Sequence, residues 1–221
     1  MHATLSRRFT SLAFAFLAAF AAFAAPASFS AAGAAEAPDF KPPAHWAGGW
    51  RELPGFTSGE MRLRSFLPAG SSEANWREAL NLYTISPRPA GPPRQVAANI
   101  VTFMMHKAEA GCTALAQAVE DPLAEGPYVT QYAQFYCPRR PAEKVSRVEM
   151  LKVVAGTDAL YVFTLMRQAP FFALQPPAPV SFAEPAETAA HNTWISQADD
   201  YLRKNVKVCD KGLLGGGPCS K

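Results

Sequence analysis

Leu160-Tyr161-Val162-Phe163-Thr164-Leu165-Met166 is almost entirely apolar at every position. Side chains of an extended chain alternate between two faces, so a segment that is apolar at both parities must be covered from both sides. Just before it, Val145 to Val154 and Ala159 to Arg167 flank Ala155-Gly156-Thr157-Asp158. The pattern predicts an antiparallel hairpin at the centre of a sheet. Two helical patterns can supply the covers. Arg94 to Ala110 sets Val96, Ile100, Phe103 and Met104 on one side, with Gly111 as a stop. From between Pro185 and Thr188 to about Val206, Trp194, Ile195, Ala198, Tyr201 and Leu202 form a second stripe. The expected fold class is therefore α+β: an antiparallel β-sheet of about six strands with helices packed on it, an alpha-beta-alpha sandwich.

Four further strands complete the count: Glu60 to Leu67, Ala79 to Ile85, Thr113 to Glu120 and Tyr128 to Cys137. The last carries Tyr128, Tyr132 and Tyr136 on one face, read as sheet packing in preference to a ligand platform. Ser86-Pro87-Arg88-Pro89-Ala90-Gly91-Pro92-Pro93 stops regular structure, and a proline-rich crossing runs from Gln168 to Pro185. With 49% hydrophobic and 18% charged residues, the chain has the composition of a folded protein.

Arg7 and Arg8, the apolar run Leu12 to Ala25 and the small residues up to Ala35 have the three-part layout of a secretory signal peptide, cut after Ala34 or Ala35. The apolar run is shorter than the roughly 20 residues of a spanning helix. The organisation expected is a signal peptide at 1–35, an extended Pro/Gly/Trp-rich arm at 36–58, one α+β domain at 59–208 and a tail at 209–221. Removing Arg7 and Arg8 with the leader takes the formal charge from +3 to +1. That leaves no electrostatic footprint for nucleic acid. The reading is of an exported protein, periplasmic or extracellular, with no stable transmembrane anchor.

Cys112, Cys137, Cys209 and Cys219 are even in number, which in an exported chain reads first as disulfides. Three pairings are possible. Cys112 with Cys137 and Cys209 with Cys219 is favoured, the first joining a helix end to a strand end and the second tethering the tail. A Cys/His metal site is the competing reading, but there is no Cys-x-x-Cys pair and no two histidines at helical spacing. No metal and no cofactor are expected.

Gly-x-Ser-x-Gly, His-Glu-x-x-His and phosphate-loop signatures are all missing. Outside the leader the histidines are His45 in the arm, His106 on a polar helix stripe and His191, one turn after Glu187 and read as its exposed ion-pair partner. Glu149 and Asp158 are the other acid candidates, both expected at a hairpin surface. No catalytic residue is assigned. Trp46 and Trp50 in the arm, with Phe171 and Phe172 in the proline-rich crossing, either pack on the domain or form a binding surface.

The order strand, strand, helix, four strands, helix over residues 60–206 resembles the Mog1 and PsbP-like alpha-beta-alpha sandwich proteins. Pro68-Ala69-Gly70 to Asn75-Trp76-Arg77-Glu78, followed by a strand, is similar to small exported bacterial proteins of no assigned activity. The resemblance implies a binding or assembly role and carries over no catalytic residue. The function expected is non-catalytic binding or envelope assembly, with another envelope protein or an apolar ligand as partner. The alternative is an envelope hydrolase whose residues converge only in the fold.

Overall fold

The computed structural model of the chain describes residues 36–175, 178–211 and 219. The leader expected at 1–35, and the tail at 212–218 and 220–221, lie outside the described residues.

The centre of the fold is the hairpin of β9 (Val145–Ala155) and β10 (Leu160–Ala169), in register from Leu160↔Ala155 to Ala169↔Ser146. On one side β10 pairs with β5 (Glu78–Ile85), which pairs with β4 (Met61–Pro68). On the other side β9 pairs with β8 (Tyr128–Arg140). All these pairings are antiparallel, and among the described residues the main sheet holds nine strands and is accompanied by two helices, an α+β arrangement.

About six strands were expected; the difference is three very short ones. β2 (Trp50–Glu52) and β3 (Phe56–Ser58) both pair with β4, one near each end, and β7 (Leu123–Glu125) pairs with β8 ahead of β6 (Ala116–Val119). Three residues give no readable alternation, and proline or glycine beside each one masks it further. Outside the sheet, β11 (Ala173–Gln175) and β12 (Ala178–Ser181) form a hairpin within the proline-rich crossing. β1 (Glu36–Asp39) pairs with β13 (Lys207–Asp210).

Alternation along the central strands sorts the core into two clusters. Tyr161, Phe163 and Leu165 join Leu80, Leu82, Met150 and Val154 beneath α2 (Pro185–Lys204), with Trp194, Ala198, Tyr201 and Leu202 contributed by the helix. Leu160 and Val162 join Ile85, Leu151 and Val153 beneath α1 (Pro93–Glu109), which contributes Val96, Ile100 and Met104. Tyr128, Tyr132 and Tyr136 are buried in the α2-side cluster. Burying a side chain of this size is worth about 1.5–3 kcal/mol, so these two layers supply most of the driving force.

Both helices start on proline, where the missing N–H costs nothing. α1 ends where Gly111 turns left-handed at φ 92°. Among the described residues no helix is long and apolar enough to cross a membrane.

Two disulfides close the chain in the favoured pairing, Cys112–Cys137 and Cys209–Cys219. The first joins the end of α1 to β8. The second ties Cys219 beside β13. Loops of 25 and 10 residues correspond to about 3.5 and 2.7 kcal/mol of chain-entropy stabilisation.

Candidate functional site

Glu78 opens β5 with the same parity as Leu80 and Leu82, so its carboxylate faces the α2 side of the sheet at the sheet's end. Its cross-strand neighbour is Arg167, whose guanidinium lies 5.7 Å from the Trp194 ring. The arm completes the arrangement. Trp46 N–H bonds to the Pro43 carbonyl and Gly49 N–H to the Trp46 carbonyl, forming a tight turn. Gly48 and Gly49 take φ values of 82° and 87°, which only glycine adopts without strain. Ala69 N–H then bonds to the Gly49 carbonyl and holds the turn against the end of β4.

This places two arm side chains on one carboxylate oxygen. Trp46 Nε1–H donates to Glu78 Oε2 at 2.7 Å, and His45 Nε2 lies 2.8 Å from the same atom. Burial alone would raise the Glu78 carboxyl. The hydrogen bonds from His45 and Trp46, with the charges of His45 and Arg167, outweigh burial and hold it below its ordinary value. His45, Trp46, Pro68, Ser71, Arg77 and Glu78 line a cleft of about 220 Å3. Arg77 is exposed, and no acidic side chain pairs with it among the described residues. Arg51 Nη2–H donates to the carbonyl of the lining residue Ser71 at 3.2 Å.

The aromatic residues read as a binding surface fall in different places. Trp46 is 5% exposed and belongs to the core; Trp50 is half-buried and stacks on Phe66 at 4.6 Å. Phe172 is buried against Phe182 and His191. Phe171 is 41% exposed, with the Arg139 guanidinium 5.2 Å above its ring. Phe171 and Val119 are the large apolar side chains exposed among the described residues.

Two acid-base expectations are corrected. His191 is not an exposed partner of Glu187. It is fully buried on the inward stripe of α2, among Phe172, Phe182 and Trp194, and neither ring nitrogen has a hydrogen-bond partner. Burial, and then the charge of Arg167, push its pKa down to about 4, so the ring is neutral. Glu149 is buried and lies 3.6 Å from Arg147, whereas Asp158 is exposed. His106 is on the solvent side of α1 beside Glu109.

A second polar cluster sits deeper beneath α2. Lys152 is fully buried, donates from Nζ to the Val206 carbonyl at 2.9 Å and lies 3.5 Å from Glu125 Oε2. Tyr132 Oη–H donates to the other Glu125 oxygen at 3.1 Å. Burial lowers the Lys152 pKa against the pull of Glu125. No group of three or more His, Cys, Asp or Glu able to hold a metal occurs among the described residues.

His45, Ser71, Arg77 and Glu78 were not singled out from sequence as a site. The readable signal was the parity of Glu78, a carboxylate on the core-facing side of an apolar strand. Comparison with known families and with curated proteins brings no match for this chain.

Proposed function

We propose that this is an exported protein of the bacterial envelope that acts by binding, and that the cleft between the arm and the start of β5 is where it binds. The observation that carries the reading is the double engagement of Glu78 Oε2. An acid that already accepts from Trp46 and His45 serves to fix the cleft wall. The exposed Arg77 lines the same cleft and pairs with no acidic side chain among the described residues, so it can meet a partner. Two disulfides suit an oxidising compartment. Phe171 is a second candidate contact.

The test is capture of partners from envelope extract by residues 36–221, compared with Arg77→Ala and Phe171→Ala. Both side chains are exposed, so neither change disturbs the core. Loss with Arg77→Ala alone supports the cleft, loss with Phe171→Ala alone moves the site to Phe171, and capture unaffected by either removes the proposal.

A hydrolase is the second reading, favoured by one observation: His45, Glu78 and Ser71 line the same cleft. Turnover of p-nitrophenyl acetate that disappears in both Ser71→Ala and His45→Ala would establish it. No turnover, or turnover surviving Ser71→Ala, excludes Ser71 as a nucleophile.

A further inference from the structure

Resting on the reading of this cleft as a binding site, we infer that its ligand is a carboxylate monoanion held by the Arg77 guanidinium. The charge around the cleft is unbalanced. Glu78 is the acid lining it, and that carboxylate faces Arg167 across the strand pair while accepting from His45 and Trp46. Arg77 therefore adds a positive charge that forms no ion pair with an acidic side chain among the described residues, and Arg51 bonds to the carbonyl of Ser71 in the cleft wall. A lone guanidinium fork matches a planar carboxylate with two parallel N–H···O bonds.

Two features narrow the class further. Glu78 lies beside Arg77 in the chain and in the cleft, so a second negative charge on the ligand would be repelled; a monoanion is preferred over a phosphate dianion. At about 220 Å3 the cleft is below the roughly 300–1,000 Å3 of sites that enclose a whole drug-sized ligand. It takes one small acidic end, with Trp46, Ala47 and Pro68 giving apolar contact to whatever carries it. A peptide C-terminus and a free small acid share this chemistry.

The experiment is a heteronuclear NMR titration of residues 36–221, following the Trp46 indole N–H and the backbone amide of Arg77. The probes are N-acetylglycine, its neutral amide N-acetylglycinamide, acetate and inorganic phosphate. N-acetylglycine should shift both signals and bind at least tenfold more tightly than the amide, and Arg77→Gln should weaken it at least tenfold with the rest of the spectrum unchanged. Tighter binding of N-acetylglycine than of acetate supports a peptide C-terminus, and equal binding supports a free acid. Equal binding of the amide, unaltered binding by Arg77→Gln, tighter binding of phosphate or no binding of any carboxylate overturns the inference. If partner capture is still lost in Arg77→Ala, such a result leaves the cleft as the binding site and discards only the carboxylate.

Discussion

Trp46 and Glu78 are joined by a 2.7 Å hydrogen bond from the indole N–H to Oε2, across 32 positions of sequence. That bond joins the pairing of β2 and β3 with β4 in fixing a proline- and glycine-rich arm on the domain. Trp46 is almost wholly buried, so removing its acceptor deprives the indole N–H of its protein partner. Glu78→Ala is expected to cost about 1–3 kcal/mol. Urea denaturation followed by tryptophan fluorescence measures it, and a red-shifted folded spectrum would report release of Trp46. Because the folded-state Glu78 carboxyl is lowered, its contribution is complete above the ordinary carboxylate range. It fades as pH falls through the folded value.

His191 makes stability depend on pH in a different window. Its folded pKa of about 4 lies below the ordinary 6.5, so between those values the unfolded chain binds more protons. Stability should decline as pH falls from 6.5 towards 4, by about 3 kcal/mol in total. His191→Leu should flatten that slope. Chemical denaturation at half-unit pH steps decides it, and an unchanged slope in the variant would assign the effect elsewhere.

Glu36 reaches into the turn of the central hairpin. Its Oε1 accepts the Thr157 N–H at 2.5 Å and its carbonyl accepts from Tyr161 Oη–H at 3.3 Å. A Cβ on Gly156 would collide with Glu36 Oε2 and come within 2.9 Å of the Ala159 carbonyl oxygen. Gly156→Ala should therefore expel the carboxylate and destabilise by about 1–3 kcal/mol. In a double-mutant cycle with Glu36→Ala the two costs should fall short of additive; full additivity would mean that the carboxylate does not occupy the turn.

Lys152 and Glu125 form a buried pair, for which losing one member is far worse than losing both. Lys152→Met is expected to cost about 3–5 kcal/mol by stranding the Glu125 carboxylate. Lys152→Met with Glu125→Leu should recover most of that. Thermal unfolding of the two single variants and the double variant tests it, and a double variant as unstable as the worse single would contradict the pairing.

The hairpin and both helices were legible because each rests on local periodicity, whereas the disulfide pairing was one favoured choice among three. Leu160 to Met166 had to be central, and Cys112 had to follow the end of a helix. Strands β2, β3 and β7 were not legible, since three residues carry no period and their order comes from the long strand beside them. His191 stands one turn after Glu187, a spacing that reads as an ion pair, but it also stands three positions before the inward Trp194. Three positions from an inward tryptophan puts a residue on the same inward stripe. The cleft was hidden for a different reason: His45 and Glu78 meet only once Gly48 and Gly49 turn the arm back, and strand alternation carries no trace of that meeting.

The pairing of β1 with β13 also sets a timetable. During synthesis Glu36 to Asp39 emerges well before its partner strand, Lys207 to Asp210, which must wait for the residues between them. Until then the hairpin turn that receives Glu36 has no strand to hold that residue in place. Closure of this small sheet, sealed by Cys209 and Cys219 once the thiols meet an oxidant, is thus a finishing step that a shortened or stalled chain cannot perform.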